Sequence, residues 1–176
     1  MDKTYADTVR LLLAVAPDVF ANDIFAMKGG TAINLFVRDM PRLSVDIDVV
    51  YLPWQTPRDE ALQAINQELA AIAMRVAPLG VQTRLVRAKD LGDTKLIVEN
   101  DASQVKIEVN VVFRGSVLPV ERRPLSAKTS DLFGVEFELP VLAPDELYAS
   151  KLVAALDRQH PRDLFDVWQL FESGDI

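Results

Sequence analysis

The sequence predicts an α/β (α+β) fold, with a mixed twisted sheet flanked by helices and further helices toward the C-terminal end. Residues 44–50 and 104–113 alternate polar and apolar side chains, which is typical of half-buried strands. Residues 58–77 instead repeat apolar side chains at helical spacing, at Leu62, Ile65, Leu69, Ile72 and Val76. Strand and helix patterns thus follow one another along the chain, as in an α/β domain.

The remaining elements follow from the same patterns. Residues 3–16 form a helix that we expect to stop at Pro17, and residues 24–27 form a short strand. The strands 81–87, 95–99 and 104–113 are separated by predicted turns at Gly92-Asp93 and Asn100-Asp101. Residues 116–143 are predicted as loop with one short strand, 135–139, and two helices start at Pro144 and near Arg162. Leu156, Phe165, Trp168 and Leu170 are expected to pack inside.

Length and composition predict one domain over residues 1–176, with a core at about 18–140 and a helical segment at about 144–173. A net charge of −7 argues against nucleic-acid binding through bulk charge, although a local basic cleft is compatible with it. The chain has no cysteine and one histidine, which excludes disulfides, thiolate zinc sites and histidine-rich metal sites. No apolar stretch is long enough for a signal peptide or a membrane span, so a cytoplasmic location is expected.

The acidic pair Asp46 and Asp48 is the first candidate site. On a strand, both side chains and that of Ser44 share one face, and the two Cα atoms lie roughly 6–7 Å apart. Two carboxylates at this separation can converge on one hard cation or flank a pair of cations. The alternative is a solvated strand face that happens to carry two acids.

The segment Lys28-Gly29-Gly30-Thr31 is the second candidate site. Glycines let the backbone approach a phosphate closely, and the free N–H groups at a helix start attract anions. Thr31 is expected to cap the helix or to hold a phosphate oxygen through its hydroxyl group.

Glu108 is the natural third carboxylate. It shares a strand face with Lys106 and Asn110, so that three acids meet if its strand lies beside the acidic pair. The alternative is a cross-strand ion pair of Glu108 with Arg84 or Lys95.

Lys151, Ala154 and Arg158 share one face of the helix that starts at Pro144. Two cations around a small residue make either a solvated stripe or a basic wall that grips a triphosphate. His160-Pro161 then breaks the chain, and Asp163 and Asp166 lie on one side of the last helix.

These motifs together resemble those of the AbiEii/AbiGii-type nucleotidyltransferase toxins, within the polymerase-β-like nucleotidyltransferase superfamily. The resemblance covers residues 24–51, 105–110 and 146–168. It is carried by Lys28-Gly29-Gly30-Thr31-Ala32, Arg42-X-Ser44-X-Asp46-X-Asp48, Lys151-X-X-Ala154-X-X-X-Arg158 and Arg162-Asp163-Leu164-Phe165-Asp166. Many members continue into a further helical region, so a chain that ends at Ile176 is expected to be a short or truncated member.

The resemblance implies a polymerase-β-like core and assigns roles to the candidate residues. The implied metal ligands are Asp46, Asp48 and Glu108, the last in preference to Glu99. The implied catalytic group adds Lys151 and Asp163, although Asp166 is an alternative acid and Asp163 is equally well explained as a buried partner of Lys151 or Arg158. The implied nucleotide-binding residues are Lys28, Gly29, Gly30, Thr31, Ser44, Lys151 and Arg158.

The function implied by the resemblance is a Mg²⁺-dependent or Mn²⁺-dependent transfer of a nucleoside monophosphate from an NTP to a hydroxyl group. The acceptor is an RNA, with tRNA ends as one candidate, or a protein. The protein would be the toxin of a toxin–antitoxin or phage-defence system with a cognate antitoxin. Two alternatives stay open: a metal-dependent phosphodiesterase and a noncatalytic module that binds a nucleotide or the antitoxin.

Overall fold

Seven strands form one mixed sheet in this computed structural model, which describes residues 3–88 and 92–173. The spatial order is β3-β4-β5-β2-β1-β7-β6. Pairs β2–β5 and β1–β7 are parallel, and the other neighbours are antiparallel. The strands are β1 Phe25–Lys28, β2 Asp46–Tyr51, β3 Gln82–Ala88, β4 Gly92–Glu99, β5 Gln104–Asn110, β6 Glu121–Pro124 and β7 Glu138–Val141.

Helices pack around this sheet, which confirms the predicted fold class. The α-helices are α1 Lys3–Val19, α2 Gly29–Ala32, α3 Arg58–Val76, α4 Ala127–Phe133, α5 Pro144–Arg158 and α6 Pro161–Ser173. Helix α2 continues into a π-helical turn, Ile33–Val37, and α3 into a 3₁₀ turn, Ala77–Leu79.

The alternation in β2 and β5 separates a core face from a polar face. Ile47, Val49 and Ile107 are buried on the face that helices α1 and α3 cover. Helix α1 contacts β2 and β5, α3 contacts β3 and β4, and the two helices contact each other. Burial of this apolar face stabilises the sheet by roughly 25 cal/mol per Å². The opposite face keeps its charged side chains half-exposed, on the side of the sheet where the cleft against α5 and α6 lies.

Several predicted boundaries are wrong. Pro17 lies inside α1, because the buried side chains of Val15 and Val19 hold the last turn against the core. Gly92 and Asp93 belong to β4, and the connection at residues 89–91 is outside the described residues. The turn at Asn100 is confirmed, since its N–H donates to the Ser103 carbonyl oxygen at 2.9 Å.

Residues 116–143 contain more regular structure than predicted. Strand β6 and helix α4 were both predicted as loop, and the expected strand at 135–139 lies later, at Glu138–Val141. β5 ends at Asn110, where the Asn110 side chain accepts hydrogen bonds from the N–H groups of Val112 and Phe113 at 3.0 Å and starts a turn. Capping by asparagine competes with continued strand pairing in this way.

Candidate active site

Four strands bring a row of charged side chains together on the polar face of the sheet. Lys28 in β1 is directly opposite Asp48 in β2, which is opposite Glu108 in β5. Glu108 is in turn opposite Lys95 in β4. Directly paired residues of neighbouring strands point to the same face, so Glu108 does stand beside the acidic pair, as predicted.

Lysine side chains lie among the acids of this row. Lys106 Nζ is 2.9 Å from Glu108 Oε2 and 3.9 Å from Asp46 Oδ1, and Lys95 Nζ is 2.9 Å from Glu108 Oε1. The cross-strand ion pair with Lys95, the alternative to a ligand role for Glu108, is therefore present. Over residues 3–88 and 92–173, no three acidic or histidine side chains are grouped so that they could hold a metal ion. The three acids thus meet on one face of the sheet, as predicted, but both oxygens of Glu108 are bound by ammonium groups.

The two glycines allow the turn before α2 to pack directly against the acids. Gly29 has a φ of 76°, and a Cβ atom there would lie 2.4 Å from Asp48 Oδ2. A Cβ atom on Gly30 would lie 2.6 Å from Arg42 Nη2. The first N–H groups of α2 have no partner within the helix, so the turn offers backbone donors beside Asp48.

The Thr31 side chain faces the interior of the protein. It is fully buried, its hydroxyl group donates to the backbone carbonyl oxygen of Asp46, and its Oγ1 lies 2.9 Å from Ser44 Oγ. Lys28 occupies the N-cap position, and no side chain caps the helix. The predicted cap is therefore wrong, and in this structure the Thr31 hydroxyl group ties α2 to β2 instead of facing a phosphate.

Helix α5 supplies the cations opposite the acids. Lys151, Ala154 and Arg158 line one side of a cleft of about 310 Å³ together with Gly29 and Asp48, which confirms that the three share a face. A second hollow of about 300 Å³ adjoins this cleft. The two share the lining residues Asp48, Glu108, Lys151 and Arg158. The Arg158 side chain is 62% exposed and that of Lys151 only 8%, so Arg158 is the more accessible cation.

Asp163 holds both cations of α5. Its Oδ1 accepts a hydrogen bond from Lys151 Nζ at 2.9 Å, and its Oδ2 accepts one from Arg158 Nε at 2.7 Å. The Asp163 side chain is 3% exposed. Of the two predicted roles, these contacts favour that of a buried partner.

Asp166 is the centre of a second buried network. Arg42 donates from Nε at 2.6 Å and from Nη2 at 2.5 Å, one hydrogen bond to each carboxylate oxygen. Lys151 Nζ lies 3.2 Å from Asp166 Oδ2. Asn34 Nδ2 donates to Asp166 Oδ1 at 3.3 Å and to the Gly30 carbonyl oxygen at 2.8 Å. Asp166 therefore connects α6 to the glycine turn and to the segment that leads into β2.

The sequence of the chain matches that of a known family. The sequence profile of the nucleotidyl transferase AbiEii toxins, of type IV toxin–antitoxin systems, matches residues 10–176. The chain belongs to the AbiEii family. No curated protein matches this AbiEii-family chain significantly.

A solved structure has the same fold. MenT4, a nucleotidyltransferase toxin from Mycobacterium tuberculosis H37Rv, superposes with a TM-score of 0.63 at 22% sequence identity. The match covers 94% of this chain and 59% of the MenT4 chain. The AbiEii-family chain thus spans about three fifths of MenT4 and shares its fold, as the sequence motifs implied.

The electrostatics of the AbiEii site distinguish Asp48 from Glu108. Burial, and then the nearby charges of Asp46 and Glu108, raise the pKa of Asp48. Burial acts to raise the pKa of Glu108 too, but the hydrogen bonds from Lys106 and Lys95 outweigh it and lower that pKa overall. The same contact with Glu108 raises the pKa of Lys106. The negative charge of Asp48 is therefore less compensated than that of Glu108.

Lys28 and Asp163 are shifted in ways that fit their surroundings. Burial is the main cause that lowers the pKa of Lys28, and the nearby charge of Lys151 lowers it further against the opposing effect of Asp48. For Asp163, burial acts upward, but the hydrogen bonds from Arg158 and Lys151 lower its pKa. Lys28 thus lines the cleft as a partly desolvated side chain with a lowered pKa, whereas Asp163 is held as a carboxylate.

The sequence patterns predicted no role for Arg42 or Asn34 and left Asp166 as an alternative to Asp163. A signal for Asn34 was present, because it is a polar residue between the apolar residues Ile33 and Leu35 in a helix that is otherwise buried. No described helix is long and apolar enough to cross a membrane.

Proposed function

We propose that this AbiEii-family protein transfers a nucleoside monophosphate from an NTP to a hydroxyl group of an RNA or a protein, and acts in this way as a toxin. One observation carries the proposal. The glycine turn, the acids Asp46 and Asp48 and the cations of α5 meet in one cleft, although they come from distant parts of the sequence.

The triphosphate is bound by the backbone and by α5. N–H groups at the start of α2 donate to phosphate oxygens beside Gly29 and Gly30. Lys151 and Arg158 face them across the cleft and offset negative charge on the departing pyrophosphate. Asp163 and Asp166 hold Lys151 in place, because each carboxylate lies within 3.2 Å of its ammonium group.

A divalent cation fits the acids of β2. Carboxylate oxygens are the ligands that Mg²⁺ and Mn²⁺ prefer, and Asp46 and Asp48 present them on one strand face. Burial, and then the nearby charges of Asp46 and Glu108, raise the pKa of Asp48, and a bound cation would stabilise its ionised form against both effects. When bound, the cation would polarise the α-phosphate and stabilise the attacking and leaving oxygens.

The test is nucleotide transfer with matched variants. The purified protein is incubated with each labelled NTP in turn, with Mg²⁺, and with total RNA or total protein. We expect label in the acceptor with the wild type and with Asp131→Ala, an exposed control on α4, but not with Asp46→Ala. Equal labelling by wild type and Asp46→Ala, or no labelling by either, would refute transfer by this site. Shortened RNA in the absence of NTP would indicate a phosphodiesterase.

The family also implies a partner. Type IV toxin–antitoxin membership supports a cognate antitoxin, and we place its action, direct or genetic, in the cytoplasm. Growth arrest on expression of the wild type, absent with Asp46→Ala and relieved by the antitoxin, is the expected result in cells.

A further inference from the structure

Glu108 differs from the other two acids in what it binds. Lys106 and Lys95 each place an ammonium nitrogen 2.9 Å from a different oxygen of the Glu108 carboxylate. The strands place both lysines beside Glu108. Lys95 on β4 is directly opposite Glu108, and Lys106 precedes Glu108 by two residues on the same face of β5. Both oxygens of this carboxylate are therefore engaged by cations that the sheet itself supplies.

Lys106 also reaches toward the acidic pair. It is directly opposite Asp46 across β2 and β5, and its ammonium group lies 3.9 Å from Asp46 Oδ1. Its side chain is 34% exposed, and it lines the hollow that holds Gly30, Arg42 and Arg158. The positively charged ammonium group of Lys106 thus lies beside the acidic pair, and the side chain remains partly exposed to solvent.

Asp48 has no comparable partner. Among residues 3–88 and 92–173 it makes no ion pair within 4 Å, and its carboxylate lies against the bare backbone of Gly29. Within the described residues, the one ion pair of Asp46 is with Lys106, whose Nζ lies 3.9 Å from Asp46 Oδ1. Two of the three acids therefore keep oxygens that a cation can reach.

We infer that a divalent cation is bound by Asp46 and Asp48 without Glu108, and that Glu108 is a positioning residue that holds Lys106 beside them as a resident cation. The inference rests on the metal dependence included in the proposed function and narrows its ligand set. Lys106 then adds a positive charge to the cleft, beside the position where a third metal-binding acid was expected.

The decisive experiment is Mn²⁺ binding by the full chain, measured by calorimetry without NTP or acceptor. The double variant Lys106→Met/Glu108→Gln removes one positive and one negative charge, so the net field on the metal changes little. We expect its dissociation constant for Mn²⁺ to stay within about threefold of the wild type, while Asp48→Asn weakens binding at least about tenfold. A double variant that binds Mn²⁺ more than about threefold more weakly overturns the inference.

Single variants test the resident cation. Lys106→Met removes a like charge beside the metal, so we expect tighter Mn²⁺ binding than in wild type. Lys95→Met is the matched control, because Lys95 contacts Glu108 but not Asp46, and it should change Mn²⁺ affinity less than Lys106→Met does. Equal effects of the two variants, or no effect of Lys106→Met, would also contradict the inference.

The outcomes separate this inference from the proposed function. If the Mn²⁺ pattern holds but no acceptor is labelled, only nucleotide transfer fails. If transfer is observed but the double variant loses Mn²⁺, only the two-acid ligand set fails. A wild type that binds no Mn²⁺ at millimolar concentration would refute both. The side chains of Lys95, Lys106 and Glu108 are more than 30% exposed, and circular dichroism of each variant checks that the fold is kept.

Discussion

Arg42 and Asp166 form a two-pronged ion pair across 124 positions of sequence. The planar guanidinium group donates to both carboxylate oxygens, a geometry that lysine cannot reproduce. Arg42 lies just before the acidic strand and Asp166 lies in the last helix. This pair therefore fixes the position of α6 relative to Asp46 and Asp48. Lys151 forms an ion pair with the same Asp166 carboxylate.

Loss of Asp166 should destabilise the protein strongly. Asp166→Ala leaves Arg42 and Lys151 without one buried partner, so we expect the free energy of unfolding to fall by about 3–5 kcal/mol. Urea denaturation measures it. The control is Asp7→Ala, which breaks an exposed pair with Arg10 and should cost less than about 1 kcal/mol. Similar losses for both variants would show that the buried network contributes little.

Gly29→Ala should disturb the site as well as the backbone. The positive φ alone costs an alanine roughly 1–2 kcal/mol, and the new methyl group would also overlap Asp48. Gly80→Ala is a matched control, because Gly80 has a φ of 71° and no atom within 4 Å of an added Cβ. We expect Gly29→Ala to be the more destabilising variant by at least about 1 kcal/mol in urea denaturation. Equal costs would mean that Asp48 moves aside freely.

Arg158 should affect phosphate binding more than folding. Its side chain is largely exposed, and Asp163 keeps Lys151 as a partner when Arg158 is removed. For Arg158→Gln we expect about tenfold weaker binding of inorganic tripolyphosphate, measured by calorimetry, from the loss of one charge-assisted contact. Arg122→Gln, at an exposed position on β6, should bind as the wild type does. Unchanged binding by Arg158→Gln would remove Arg158 from the triphosphate site.

Asp48→Asn should stabilise the metal-free protein at neutral pH. The pKa of Asp48 is raised on folding by burial and by Asp46 and Glu108, so its ionised form is disfavoured in the folded state. This cost is absent below the unfolded pKa, grows as pH rises and is complete above the folded pKa. In EDTA the variant should therefore unfold at higher urea than wild type at pH 7.5, and the difference should vanish near about pH 3.

An exposed aspartate provides the comparison for this pH effect. Asp131→Asn, on α4, should follow the wild type across the whole range. A variant Asp48→Asn that is less stable than wild type at pH 7.5 would show that favourable contacts of the carboxylate outweigh its charge crowding.

The sequence predicted well those elements whose periodicity is set by one buried face. Ile47, Val49 and Ile107 alternate with the charged residues of β2 and β5, so both the strands and the shared face of the acids could be predicted. The lysines at 95 and 106 could be seen as well, but their distances to Glu108 depend on the register of three strands. Register is not visible in the pattern of one strand alone, and it decided how the acids are partnered.

In helix α6 and at the end of α5, the positions of apolar residues did not predict which side chains are buried. Trp168 was expected in the core but is 52% exposed, and Leu156 on α5 is 80% exposed. The buried side of α6 instead carries Asp163 and Asp166 with Leu170. The cations of α5 and Arg42 make burial of these acids favourable, and such partners come from elsewhere in the chain, so the amphipathic pattern of α6 could not reveal which side faces inward.

The order in which the cleft residues occur along the chain has a consequence for synthesis. The glycine turn and both β2 acids are synthesised before Lys151, Asp163 and Asp166. Until α6 has been made and Asp166 has paired with Arg42, the nascent polypeptide contains Asp46 and Asp48 without the cations of α5 held opposite them. A finished cleft therefore exists only after α6 has been made.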